Sequence, residues 1–106
     1  MKSTSAKNKK DVLSKIKLNQ DNIKSFGVKK LGLFGSFVRG EQNETSDVDL
    51  LVEFERGKKT FDNFMRLSFL LEEIFKHPVE LVTMDSLSPY IRPHIIKEVE
   101  YVDFTS

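Results

Sequence analysis

The sequence has no cysteine and no tryptophan, and only three prolines among 106 residues. Without cysteine there is no disulfide scaffold, no thiolate zinc site and no cysteine nucleophile. No apolar run approaches the ~18 residues of a membrane-spanning helix. The first residues carry lysines with no apolar segment behind them, so a secretory leader is not expected and a cytoplasmic location is. No Gly-x-x-x-x-Gly-Lys-Ser/Thr string occurs, which excludes P-loop chemistry. What is abundant is phenylalanine, nine residues in a chain that is 39% hydrophobic and 31% charged. A chain of this length forms one domain and buries roughly 65% of its extended surface on folding.

The net charge of +1 hides an asymmetry. Residues 1–30 hold nine Lys against two Asp, and the remaining residues hold eight basic against fourteen acidic side chains. A basic leading segment can bind nucleic acid or an acidic partner. No aromatic residue interleaves with these lysines before Phe26, so base stacking has no platform. Nucleic acid is therefore not expected as a direct ligand. Residues 1–10 read as a disordered basic tail, and 11–106 as a single folded unit.

From Asp11 the apolar residues Val12, Leu13, Ile16, Ile23 and Phe26 recur at helical spacing, and Gly27 follows where a helix commonly ends. Val28 to Phe34 is rich in branched and aromatic residues and predicts a strand, with one helical turn over 37–39 after Gly35-Ser36. In Asp47 to Phe54, Val48, Leu50, Val52 and Phe54 share one face, and Asp47, Asp49, Leu51 and Glu53 the other. Thr60 is a plausible N-cap for a helix to about Lys76, stopped by His77-Pro78. Phe61, Phe64, Phe69 and Phe75 are expected in the core. Val79 to Thr83 predicts a third strand, 86–99 a short helix interrupted by Pro89 and Pro93, and 100–104 an edge strand.

The informative stretch is Gly35-Ser36, ten intervening residues, then Asp47-Val48-Asp49. Alternation places both carboxylates on one face, about 6.6 Å apart. Two adjacent carboxylates repel, and burying them without a cation is unfavourable. A hard divalent ion such as Mg²⁺ removes that conflict, and it is commonly held by one or two carboxylates together with substrate phosphates. A glycine without Cβ lets backbone approach a ligand closely, and the neighbouring serine offers a hydroxyl and an N–H to a phosphate. Together they suit a nucleoside triphosphate. His77 and His94 carry no strong signal of ligation.

LGLFGSFVRG followed by TSDVDLLVEF resembles the minimal nucleotidyltransferase domain of the DNA polymerase beta-like superfamily. The terminal SLSPYIRPHIIKEVEYV is similar to the usual family ending, so the resemblance spans about residues 10–104. It implies an α+β fold, a small mixed β-sheet with helices packed against it. It implies transfer of a nucleoside monophosphate from an NTP, here AMP from ATP, to an acceptor hydroxyl. Asp47 and Asp49 are then metal ligands of two Mg²⁺ ions, and Gly35 and Ser36 hold the triphosphate. The third acid, usually aspartate, falls on Glu80. Arg39 either supports phosphate charge or pairs with Glu41 or Asp47. Short members resemble antitoxins whose partner is a helical HEPN-type RNase toxin, blocked by binding or by AMP added to a tyrosine. The alternative is a weak or inactive binding module that neutralises the toxin by complex formation, through an apolar surface at Tyr90, Ile91 and Ile95. Small-molecule nucleotidyltransferases and polymerases usually carry a further domain for which this chain has no room.

Overall fold

The computed structural model describes residues 5–104. Two short helices lead, α1 (Lys9–Leu18) and α2 (Gln20–Lys24), followed by β1 (Val28–Phe34), the single turn α3 (Ser36–Arg39) and β2 (Val48–Phe54). The long helix α4 (Phe61–Phe75) leads to β3 (Val79–Thr83), then a 3-10 turn (Met84–Ser86), α5 (Arg92–Glu98) and β4 (Glu100–Tyr101). The sheet order is β3-β2-β1-β4. β1 runs antiparallel to both β2 and β4, whereas β2 and β3 are parallel. Parallel neighbours need a crossover, and α4 supplies it. This is the mixed sheet with helices that the family resemblance implies.

Period-2 alternation in the strands decides which face is dry. Leu31 and Leu33 of β1, Val48, Leu50 and Val52 of β2 and Leu81 of β3 pack with Val12, Ile16, Ile23, Leu67, Leu71 and Phe75 from the helices. The opposite face carries Asp49, Glu53 and Glu80, together with Leu51, which is buried.

The helical stretch expected from Asp11 begins at Lys9, because Asn8 caps it by accepting the Asp11 N–H at 2.9 Å. It breaks at Asn19, whose side chain donates back to the Lys15 carbonyl. The expected basic tail is corrected from Ala6 onward, whereas residues 1–4 lie outside the described residues. Ala6 is buried, its N–H donates to the Phe75 carbonyl at 2.9 Å, and its own carbonyl lies 2.9 Å from His77 Nε2. His77 Nδ1 meets the Ser46 carbonyl, and its ring stands edge-on to Phe37. His77 is thus a structural tie.

Thr60 caps α4 as expected, accepting from Asn63 N–H. Phe61 and Phe69, expected in the core, are 81% and 62% exposed. The buried stripe of α4 runs through Leu67, Leu71 and Phe75, and positions 61 and 69 fall off it. Pro93 does not interrupt a helix; it lies in the first turn of α5, where its missing N–H leaves no bond unmade. The expected last strand shrinks to two residues, prolonged by one bond from Val102 N–H to the Leu31 carbonyl.

Candidate active site

Gly35 sits between β1 and α3 with φ 79° and ψ −153°, a backbone region that side chains with a Cβ disfavour. A Cβ there would stand 2.1 Å from Asp49 Oδ2. The Asp49 carboxylate therefore occupies the space that any other residue at 35 would fill. Ser36 follows as the first residue of α3 and is partly exposed.

Strand register gathers the acids. Asp49 pairs with Phe34 across the β1–β2 ladder and with Glu80 across the β2–β3 ladder. Residues paired in adjacent strands present their side chains to the same face, so Glu80 lies beside Asp49. Asp47 precedes the first residue of β2 and is exposed. Burial pushes the Asp49 carboxyl up to about 6, and the charges of Glu80 and Asp47 push it the same way, against a partial pull from Arg39. The group is held in a place where its ionised form is opposed, as a group that awaits a cation would be.

Carboxylate oxygens are the donors that Mg²⁺ takes, and substrate phosphates and water ordinarily complete its shell. Among the described residues no three His, Asp or Glu side chains already converge on one point. The repulsion at Asp49 and the cradle at Gly35 nevertheless fit an ion arriving with a triphosphate.

Arg39 pairs through Nε with Glu41 at 2.9 Å and through Nη1 with Glu98 at 2.7 Å, not with Asp47. The two carboxylates raise its pKa still further, so it keeps its charge throughout the working range of pH. Glu98, which the sequence reading missed, accepts the Gly35 N–H through its other oxygen at 2.7 Å. Burial pushes the Glu98 carboxyl up, but the Gly35 N–H and the Arg39 guanidinium outweigh it and hold it below the usual value. One signal could have marked it. An acid as the last residue of a helix opposes the partial negative charge of the free carbonyls there.

His94 is exposed and joins none of this. A cleft of about 250 Å³ opens farther along β2, lined in part by Leu51, Glu53, Thr83, Met84 and Tyr101. No described helix is long and apolar enough to cross a membrane.

The same architecture recurs in known proteins. Protein adenylyltransferase MntA of Thermococcus cleftensis is 44% identical over 77 residues, 73% of this chain and 77% of its own. A Methanocaldococcus jannaschii protein, provisionally named a protein adenylyltransferase, is 40% identical over 96 residues, 88% of this chain and 93% of its own. Among solved structures, a toxin–antitoxin crystal structure with AMP-PNP superposes with a TM-score of 0.67 at 26% identity, covering 89% of this chain and 74% of that one. Residues 15–102 match the nucleotidyltransferase domain family. With that match spanning most of the chain, and the glycine–serine turn set against paired strand carboxylates, the protein belongs to the nucleotidyltransferase domain family.

Proposed function

We propose that the chain is a Mg²⁺-dependent protein adenylyltransferase that moves AMP from ATP to a tyrosine hydroxyl of a HEPN-type toxin and so acts as its antitoxin. The observation that carries this is the contact of Asp49 with Gly35, together with the pairing of Asp49 and Glu80. In this reading the glycine turn is a triphosphate cradle beside a pair of carboxylates. The names of its relatives support the reaction: a protein adenylyltransferase and a toxin–antitoxin pair crystallised with AMP-PNP; an AMPylated Shewanella oneidensis HEPN toxin in complex with an MNT antitoxin shares the architecture. The last is 19% identical and supports the shared fold alone.

In this reading Gly35 and Ser36 bind the triphosphate, Arg39 faces its charge, and Asp47, Asp49 and Glu80 hold the ions. Two Mg²⁺ ions, when bound, would neutralise the carboxylates and polarise the α-phosphate. The tyrosine oxygen bonds to the α-phosphorus, the bond from that phosphorus to the bridging oxygen breaks, and pyrophosphate leaves. The phenolic proton passes to water. The carboxylates would hold the ions, and Ser36 would orient the phosphates so that the attacking and leaving oxygens lie in line.

The toxin-contact surface is proposed around Tyr90, Ile91 and Ile96, which are 89%, 48% and 52% exposed. Ile95, expected in that surface, is instead buried against the fold. These exposed side chains favour a second reading, neutralisation by complex formation alone. Incorporation of labelled AMP into the co-purified HEPN-type protein tests the choice, with Asp49→Asn as the blank. Incorporation above the blank supports the enzyme. A stable complex without incorporation leaves only the binding module.

A further inference from the structure

Glu98 uses both oxygens of one carboxylate on two groups of the proposed triphosphate site. Oε2 accepts the Gly35 N–H and Oε1 accepts Arg39 Nη1, each at 2.7 Å. The side chain is only 22% exposed. Gly35 lies between β1 and α3: its carbonyl accepts the Val38 and Arg39 N–H groups of α3, whereas its own N–H donates to Glu98 from a distant element. Arg39 is long and about half exposed, and without a second anchor its guanidinium would sample many rotamers. Glu98 comes from the other end of the chain, 63 residues beyond Gly35 and 59 beyond Arg39. Its own helix gives no local reason for an acid at that position.

We infer that Glu98 is a positioning residue for nucleotide binding: one carboxylate sets the Gly35 peptide and the Arg39 guanidinium in register with each other. This rests on the reading of Gly35-Ser36 as the triphosphate site. Glu98 does not touch the nucleotide in this account. It works through two groups that do. A bidentate anchor of this kind has no conservative replacement. Glutamine has a single acceptor oxygen, so it can satisfy Gly35 or Arg39 but not both, and its NH₂ then faces a donor. Aspartate lacks the reach to span the two.

The test is isothermal titration of ATP with Mg²⁺ into wild type, Glu98→Ala, Glu98→Gln, Arg39→Ala and the Glu98→Ala/Arg39→Ala double variant. It is paired with transfer kinetics on the co-purified HEPN-type protein. Circular dichroism at the assay temperature fixes the folded fraction of each. Glu98→Ala should weaken ATP about 10- to 100-fold, the scale set by a displacement of about 1 Å at a positioned group. The rise should fall on KM for ATP, with KM for the protein acceptor changed less than about twofold. Glu98→Gln should recover part of the loss, and in the Arg39→Ala background the Glu98→Ala effect should shrink, since coupled groups are not additive. If Glu98→Ala does not fold, Glu98→Gln and the Arg39→Ala background carry the comparison.

ATP binding by folded Glu98→Ala as tight as wild type or tighter overturns the inference, the tighter case making Glu98 an occupant of the site. Equal rises in both KM values would make Glu98 a general structural residue and overturn it as well. Wild type that binds ATP in a Glu98-dependent way, yet transfers no more than the Asp49→Asn blank, keeps the inference and defeats the transferase reading. Wild type that does not bind ATP defeats both.

Discussion

Asp49→Asn should make the protein more stable while abolishing transfer. The Asp49 carboxyl is raised from 3.8 to about 6 by burial and by the charges of Glu80 and Asp47. A rise of about two units corresponds to ~3 kcal/mol acting against the ionised form in the folded state. Asp49 is only half-buried, and solvent screens part of this, so about 1–2 kcal/mol is the expected gain from removing the charge. Asparagine keeps the shape, so Gly35 still has its neighbour. For a domain of this size that gain raises Tm by roughly 5–10 °C. The pH dependence follows from the sign of the shift. A carboxyl whose folded value is raised binds its proton more tightly in the folded state, so its penalty is absent below the unfolded value. The penalty grows between about pH 4 and pH 6 and is complete above about pH 7. Thermal melts in EDTA should therefore separate wild type and Asp49→Asn at about pH 7.5 and bring them together near pH 4. Added Mg²⁺ with a nonhydrolysable ATP analogue should raise wild type selectively, because ligands that bind only the folded state stabilise it. An Asp49→Asn variant melting at or below wild type at about pH 7.5 in EDTA would refute the claim that Asp49 is held against repulsion.

Glu80→Asp should speed AMP transfer and Glu80→Gln should abolish it, with ATP binding little changed in titration calorimetry; full activity in Glu80→Gln would remove Glu80 from the metal set. Gly35→Ala should lower stability by about 1–3 kcal/mol in urea melts, since it imposes a strained backbone on any Cβ. It should also lose ATP binding, because that Cβ meets Asp49 at 2.1 Å. His77→Ala should cost about 1–3 kcal/mol by removing the ring that stands 2.9 Å from the buried Ala6 carbonyl, read as a lower urea midpoint at unchanged slope.

The strands and the Thr60 cap were legible in the sequence because their signals are local. Alternation over Val48 to Phe54 fixed both the dry face and the side on which Asp49 emerges. The pairing of Glu80 with Asp49 could be named from resemblance, but only the register of β2 and β3 gives it a physical basis. Hydrophobicity alone points Phe61 and Phe69 inward, but their angular position on α4 puts them outside the buried stripe. Ala6 gave no pattern at all, since its burial depends on a backbone bond to Phe75, and backbone bonds leave no mark on composition. Glu98 escaped for a related reason: its partners lie about sixty residues away, and only tertiary structure joins them.

The order in which the site's parts occur along the chain has a consequence for synthesis. Gly35, Ser36, Arg39, Asp47 and Asp49 all precede α4, whereas Glu80 and Glu98 follow it. Domains fold as units, and a nascent chain displays its N-terminal half first. A chain that has emerged only through Phe75 carries the phosphate turn and one pair of acids, with β2 unpaired on one side and Gly35 without its anchor. It has no complete site until β3 and α5 dock. On the proposed reading, an unfinished polypeptide lacks Glu80 and Glu98, and the candidate site gains its third acid and its anchor only when β3 and α5 have emerged.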